Sequence, residues 1–262
     1  MLNRISTQQI DNSKYYLNTA PQNSGSKKMS ATQKAFVAGT SALGMVPVIA
    51  YWAKGKGFSL NPVKIAKTNI KDWALFKSEP LDKVINFGWK EILSVAGGSV
   101  VGGFLGGIII DPENKRAKKR EFLNQLLGDV IVPIGCVAVG SKLFNKYSAT
   151  LHKIMPKINS ENKFSKIFNT ISENIPDTIA TLGSLAIGII AGNKVSNEIN
   201  EKLYHKEVDR GIKATDFAPH VDDLCMSISM VNEGSTFASK LGRIIPFALL
   251  VPGYETGTAR DN

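Results

Sequence analysis

The apolar residues of the chain are concentrated in a few long runs. Residues 35–53 carry no charged side chain, and residues 92–110 form a second uncharged run, each of 19 residues. At a rise of about 1.5 Å per residue, each run forms about 28 Å of helix, which is close to the thickness of a bilayer's hydrocarbon core. Tyr51, Trp52 and Lys54 end the first run as an interfacial anchor does. The pattern predicts two membrane-spanning helices.

Two weaker apolar runs follow. Residues 178–193 are uncharged over 16 residues, slightly short of a span, and residues 130–141 over only 12. The shorter run reaches 20 residues only if its helix begins at Phe122 and includes three polar residues, one of them Asp129. Length alone leaves open whether this third run crosses a membrane or is a buried helix of a soluble protein.

An internal repeat with a spacing of 86 residues raises the expected number of spans to four. The shift places Pro47 on Pro133, and it places Gly97, Gly102 and Gly106 on Gly183, Gly188 and Gly192. A unit of two spans returns the chain to its starting side, so both copies enter the membrane in the same orientation. The repeat predicts an all-α helical integral membrane bundle made of two parallel copies of a two-helix hairpin.

This organisation divides the chain into three parts. They are a polar disordered tail, residues 1–33; the bundle, residues 34–196, with one copy at about 35–110 and the other at about 121–196; and a C-terminal region, residues 197–262, outside the repeat. The first part has no apolar core, so we expect no cleavable signal peptide there. In the last part, Ile244 to Tyr254 is apolar but too short to span, which leaves a re-entrant, interfacial or bundle-packed segment open.

Small residues recur every four positions in the second helix of each copy. The rows are Ser94, Gly98, Gly102 and Gly106 in the first copy and Ala180, Ser184, Gly188 and Gly192 in the second. Glycine costs a water-exposed helix about 1 kcal/mol relative to alanine. In a bilayer the backbone has no other partner, and small residues let two helices approach closely. The rows predict glycine zippers that pack helices within the chain or between copies, because the intervening residues are too apolar for a flexible loop.

The distribution of charged residues predicts the topology of the chain but not its function. The net charge is +10, and the densest basic segment, residues 111–125, indicates that this loop and both termini face the cytoplasm, which in a bacterium means the inner membrane. The other two loops also hold lysine, so the rule is only weakly obeyed. Each contains an amphipathic stretch, at about 65–76 and 164–175, that either lies in the headgroup layer or caps the bundle. Few exposed aromatic residues accompany the basic charge, so no nucleic-acid partner is expected.

Three features are candidates for chemistry. Asp129 either marks a pathway through the membrane or lies at its surface. Pro47 and Pro133 occupy equivalent places, and paired helix breaks build the central site of some transporters. Asp216, His220 and Asp222 lie close together in the sequence, but their spacing matches no zinc or calcium motif. The ordinary interpretation of that segment is a polar turn, so no metal or other cofactor is expected.

No nucleotide-binding glycine loop or hydrolase motif is present in the sequence. We therefore expect a multi-pass membrane protein that is not an enzyme, has a structural or organisational role, and associates with itself through its glycine-rich helices. Two alternatives remain: a small channel or transporter built around the axis that relates the repeats, and an amphitropic helical protein that inserts conditionally.

Overall fold

The structure is a computed structural model that describes residues 28–69, 72–73, 88–160, 162–205, 210–221 and 244–260. Within these residues the regular structure is helical, and no strand occurs. The expected tail therefore lies outside the described residues up to position 27, as does Asp222.

Helix α1 (Ala31–Gly55) contains the first apolar run. It begins at a capping box, in which the Ser30 hydroxyl accepts from the Gln33 backbone and the Gln33 side chain accepts from the Ser30 backbone. Pro47 lies inside α1 and does not end it. A short helix, α2 (Pro62–Lys67), follows, capped by Asn61.

The second apolar run is helix α3 (Trp89–Ile110), which ends at Asp111. A 3₁₀ turn, Pro112–Asn114, leads into helix α4 (Lys115–Leu123). The expected basic loop is thus largely helical, and its helix continues into the third apolar run.

Between α4 and helix α5 (Val132–Ile154), residues Asn124–Ile131 form a π-helical segment. The Val132 N–H donates to the Leu127 carbonyl, five residues earlier, in place of the usual four. Pro133 explains the change, because it lacks an N–H and its ring crowds the carbonyl of Asp129 four residues before it.

Helix α6 (Lys163–Tyr204) is 42 residues long, about 63 Å at the usual rise. The amphipathic stretch expected at 164–175 is its first part rather than a separate helix. The boundary expected at 196/197 falls inside it. Beyond α6, the described residues form a 3₁₀ helix, Ala214–His220, and two short helices, α7 (Ile245–Ala248) and α8 (Val251–Thr258).

The long helices pack as two antiparallel pairs. The first hairpin is α1 with α3, and the second hairpin is α5, with the π segment before it, against α6. Phe104 of α3 meets Phe122 of α4 at a ring-centroid distance of 5.0 Å. Val130 of the π segment joins the apolar core formed by residues of α1, α3 and α7. The 86-residue spacing makes Val130 the equivalent of Gly44, which instead packs on the α3 glycines, so the structure does not confirm the repeat in its first helices.

Large apolar side chains cover much of the outer surface. Leu43, Ile109, Ile179 and Ile187 are each more than 60% exposed, although a protein in water rarely leaves a continuous apolar surface uncovered. Four helical stretches of the described chain are long and apolar enough to cross a membrane: Ala31–Gly55, Trp89–Ile110, Pro112–Ile154 and Lys163–Tyr204. The elements of the described residues confirm the expected all-α class, and these four stretches are consistent with a multi-pass membrane protein.

Candidate functional site

The inward-facing small residues lie at helix contacts within the chain. A Cβ atom built on Gly98 would lie 2.6 Å from the Gly44 carbonyl oxygen, and one on Gly106 would lie 2.6 Å from the Thr40 Cβ. A Cβ atom on Gly102 would also meet the backbone of α1, at Thr40 and at Gly44. These three positions of the first row therefore bring the backbones of α1 and α3 together.

The second row occupies the corresponding place in the second hairpin. A Cβ atom on Gly188 would lie 2.6 Å from the Pro133 Cα, and one on Gly192 would lie 2.9 Å from the Gly128 Cα. Ser184 lies against Gly140. Ala180 is half-buried one turn earlier on α6.

Ser94, the first member of its row, has a different role. Its hydroxyl accepts a hydrogen bond of 3.0 Å from the indole N–H of Trp52 and donates to the Lys90 carbonyl at 2.7 Å. It thus links α3 to the end of α1 through a side chain rather than through close backbone packing.

A further row of small residues on α3 is covered by the C-terminal helix. Gly253 of α8 lies against Ser99 and Gly103, and Gly257 lies against Gly103 and Gly107. The Ser99 hydroxyl donates to the Leu250 carbonyl at 3.3 Å. Of the alternatives for the last apolar stretch, the structure shows it packed on the bundle.

Asp129 lies in the interior, in a group of charged side chains that we call the Arg210 cluster: Glu121, Asp129, Arg210 and Asp216. The Arg210 Nη2 atom is 2.9 Å from Glu121 Oε1, 2.7 Å from Asp216 Oδ1 and 3.6 Å from Asp129 Oδ2. The four side chains are between 0% and 12% exposed. The cluster joins α4, the π segment and the segment after α6.

Hydrogen bonds fix the geometry of Arg210. Its Nε and Nη2 atoms donate to Glu121, and its Nη1 and Nη2 atoms donate to the two oxygens of Asp216. Burial opposes the positive charge, but the bonds to Asp216 and the nearby charge of Glu121 outweigh it and raise the pKa of the guanidinium. Asn193 and Asn197 of α6 donate to the Arg210 carbonyl, which holds the backbone as well.

His220 closes the cluster from the end of the 3₁₀ helix. Its Nε2 atom is 2.8 Å from the main-chain carbonyl of Asp129. Because a carbonyl only accepts, Nε2 carries the hydrogen. Burial lowers the pKa of His220 to about 4, so the imidazole is neutral at neutral pH. Pro133 leaves this carbonyl without its usual helical donor, and His220 supplies one.

Asp216 and His220, the two described members of the weak metal candidate, thus come together around Asp129. Asp216 is hydrogen-bonded to Arg210, and His220 to a backbone carbonyl. In the described part of the chain, no group of three His, Cys, Asp or Glu side chains has the arrangement needed to hold a metal ion.

A smaller ionic group lies at the other end of α4. Lys118 is fully buried and donates to Asp111 and to the Ala259 carbonyl, both at 2.9 Å, while Arg260 is 3.1 Å from Asp111. Burial opposes ionisation of Asp111, but hydrogen bonds from Lys118 and Asn114 outweigh it and lower the pKa of Asp111. This group anchors the C-terminal segment to the loop after α3.

Arg210 and Glu121 had no signal in the sequence. Neither lies in an apolar run, and 89 positions separate them. Only the spacing of Glu121 and Asp129, eight residues on one helix, hints that both carboxylates share a face.

No protein-family model matches the chain, and no curated protein or solved structure is similar to it at a significant level.

Proposed function

We propose that the protein is a non-enzymatic multi-pass membrane protein with a structural role, and that it associates with itself through outward faces of its glycine-rich helices. The observation that supports this proposal is the division of the glycines into two sets. The space beside Gly102 and Gly188 is filled by neighbouring helices, whereas a Cβ atom on Gly97 or Gly183 would meet nothing within 4 Å.

The open glycines lie on apolar outer faces. On α3, Gly97 is followed at four-residue intervals by Val101, Leu105 and Ile109, which are 47%, 54% and 69% exposed. On α6, Gly183 lies between Ile179 and Ile187, which are 66% and 64% exposed. In a bilayer, a glycine in such a face lets a second helix approach closely. The inward rows are already occupied within the chain, so contact between copies would use these outer faces.

Energy transfer between two labelled populations in proteoliposomes tests self-association. We expect the double variant Gly97→Leu, Gly183→Leu to weaken association about tenfold, or about 1.4 kcal/mol, because the added side chains hold the helices apart. Gly39→Leu is the matched control, since Gly39 is also open but lies on α1. Unchanged association in the double variant, or a wild type that is monomeric at every protein-to-lipid ratio, would contradict the proposal.

Membrane residence is tested by extraction of membranes with alkaline carbonate. We expect the chain to remain in the pellet, because its exposed apolar side chains need a lipid environment. Recovery in the supernatant would instead favour the amphitropic alternative.

A channel or transporter is the second candidate, and Asp129 favours it. Charged side chains inside a membrane bundle commonly mark ion or proton pathways, and π segments often occur at functional sites. Proteoliposomes under a proton or monovalent-ion gradient test this candidate. We expect flux that Asp129→Asn abolishes and that Glu255→Gln, at the rim of the cluster, leaves unchanged. Flux no greater than in protein-free liposomes would remove this candidate.

A further inference from the structure

The Arg210 cluster contains more negative than positive charge. Three carboxylates, those of Glu121, Asp129 and Asp216, surround a single guanidinium. Among the described residues, Lys213 is a further cation near the cluster; it is 49% exposed, lies 4.0 Å from Glu121 and makes its shorter contact, 3.0 Å, with Glu255. Within the part of the chain that the structure describes, the cluster therefore has less positive than negative charge where it is most buried.

The hydrogen bonds are also unevenly shared among the three acids. Glu121 accepts from Arg210 and Gln125, and Asp216 accepts from Arg210 and from the backbone N–H of Lys213. Neither carboxylate oxygen of Asp129 accepts a hydrogen bond from the described residues, although both are buried. A buried ionised carboxylate without hydrogen bonds is strongly unfavourable, so Asp129 differs from its two neighbours.

We propose that Asp129 is a proton-binding site, whose carboxyl group holds a proton at neutral pH while Arg210 occupies the cluster. The proton removes the excess negative charge and turns one oxygen of Asp129 into a donor. Asp216 is the nearby acceptor, since both carboxylates lie close to the same Arg210 Nη2 atom, Asp216 Oδ1 at 2.7 Å and Asp129 Oδ2 at 3.6 Å. Two carboxylates that share one site do not both ionise readily.

A proton fits this site better than a metal cation does. The oxygens of Glu121 and Asp216 are already engaged by Arg210, so among the described carboxylates of the cluster only that of Asp129 accepts no hydrogen bond. One carboxylate cannot provide the six or so oxygen ligands that Ca²⁺ or Mg²⁺ takes, but it can hold one proton. Release is the simple dissociation of the Asp129 O–H bond, with the proton passing to water.

Outside the cluster, the described residues that pack around Asp129 include no further carboxylate of similar burial. His220 is neutral and uses its Nε2–H to bind the Asp129 carbonyl. The α3 helix is uncharged from Ile92 onward, and Glu255 of α8 is paired with Lys213. The described α6 side chains that approach are amides and one hydroxyl: Asn200 donates to Asn124 of the π segment, and Ser196 lies against Gly128.

Infrared spectroscopy of the full chain in liposomes tests the proposal. At neutral pH we expect a C=O band of a protonated carboxylic acid that shifts on ¹³C-labelling of aspartate and is lost in Asp129→Asn. The matched control, Asp177→Asn, removes a half-exposed aspartate on α6 and should keep the band. If Asp129→Asn does not fold, Asp129→Glu provides a second route, because the band should then respond to glutamate labelling.

Absence of an aspartic-acid band at neutral pH, or a band that persists in Asp129→Asn, would overturn the proposal. So would a band in Asp129→Glu that still responds to aspartate labelling. The band reports protonation whether or not the protein self-associates or conducts ions, so it tests this inference separately from both candidate functions.

Discussion

The two hairpins share their sequence devices but use them differently. Each has a proline in its first helix and a row of small residues in its second. Pro47 lies on the outer surface of α1, which remains a regular helix from Ala31 to Gly55. Pro133 is buried just after a π segment and leaves the Asp129 carbonyl without its helical donor. His220 donates a hydrogen bond to that carbonyl instead.

The difference between the two prolines shows that the chemical role of a freed helix carbonyl depends on the residues around it. Proline at position 47 frees the carbonyl of Leu43, whose side chain is 69% exposed. Proline at position 133 frees a carbonyl beside three carboxylates and a guanidinium. The same residue is thus a surface feature in one hairpin and part of a polar centre in the other.

Of the changes that distinguish the two hairpins, we expect the largest effect on stability from the loss of Arg210. Replacing Arg210 with Ala leaves three buried acids without their cation, which should lower the free energy of unfolding by about 4 kcal/mol. Denaturation in mixed micelles measures the change. Arg260→Ala is the control, because Asp111 keeps its bond to Lys118. Equal losses in both variants would show that the Arg210 cluster has no special structural weight.

His220 should make the second hairpin sensitive to acid. Its pKa is about 4 in the folded chain against an ordinary value of 6.5, so the unfolded chain binds the proton first. Its contribution to stability is complete above pH 6.5 and should fall by about 3 kcal/mol as the pH drops to 4. His220→Gln keeps a donor but does not titrate. Unfolding curves at several pH values should differ between the two proteins, and parallel curves would contradict this expectation.

Glycine substitutions compare inward and outward positions within each hairpin. Gly102→Leu and Gly188→Leu should each cost about 2 kcal/mol or more and lower expression, because the new side chain meets the backbone of the opposite helix. Gly97→Leu and Gly183→Leu should leave the stability of the monomer nearly unchanged. If all four variants accumulate and unfold alike, the close backbone contacts are not what holds either hairpin.

The smallest effect concerns the prolines themselves. Pro133→Ala restores an N–H that competes with His220 for the Asp129 carbonyl, so the cluster should loosen by about 1 kcal/mol. Hydrogen exchange of the backbone at residues 214–220 measures this loosening. Pro47→Ala should leave that exchange unchanged, and a similar response to both would mean that the two breaks are equivalent.

The apolar pattern alone predicts the first hairpin well. Residues 35–53 and 92–110 correspond to Ala31–Gly55 and Trp89–Ile110, because no charged residue interrupts either run. In the second hairpin the pattern underestimates helix length, since the helices containing the weak runs extend into polar sequence at both ends.

The polar centre is beyond such a pattern for a different reason. Asn124, Gln125 and Asp129 reduce the apolar character of the third run, yet all three are buried. Their burial depends on partners such as Asn200 and Arg210, which are 76 or more positions away. Hydropathy is summed over neighbours in sequence. It therefore takes no account of polar partners from a distant segment that stabilise a buried polar side chain.

The covering of α3 by α8 has a consequence for the order of assembly. Ser99 and its partner Leu250 are separated by 151 positions, so the row of Ser99, Gly103 and Gly107 remains uncovered until the segment that contains α8 has been synthesised. The first hairpin can close on its own glycines early, but its other small-residue face is covered only once α8 is present. Without α8, the first hairpin would therefore keep this row of small residues uncovered even after α1 and α3 have packed together.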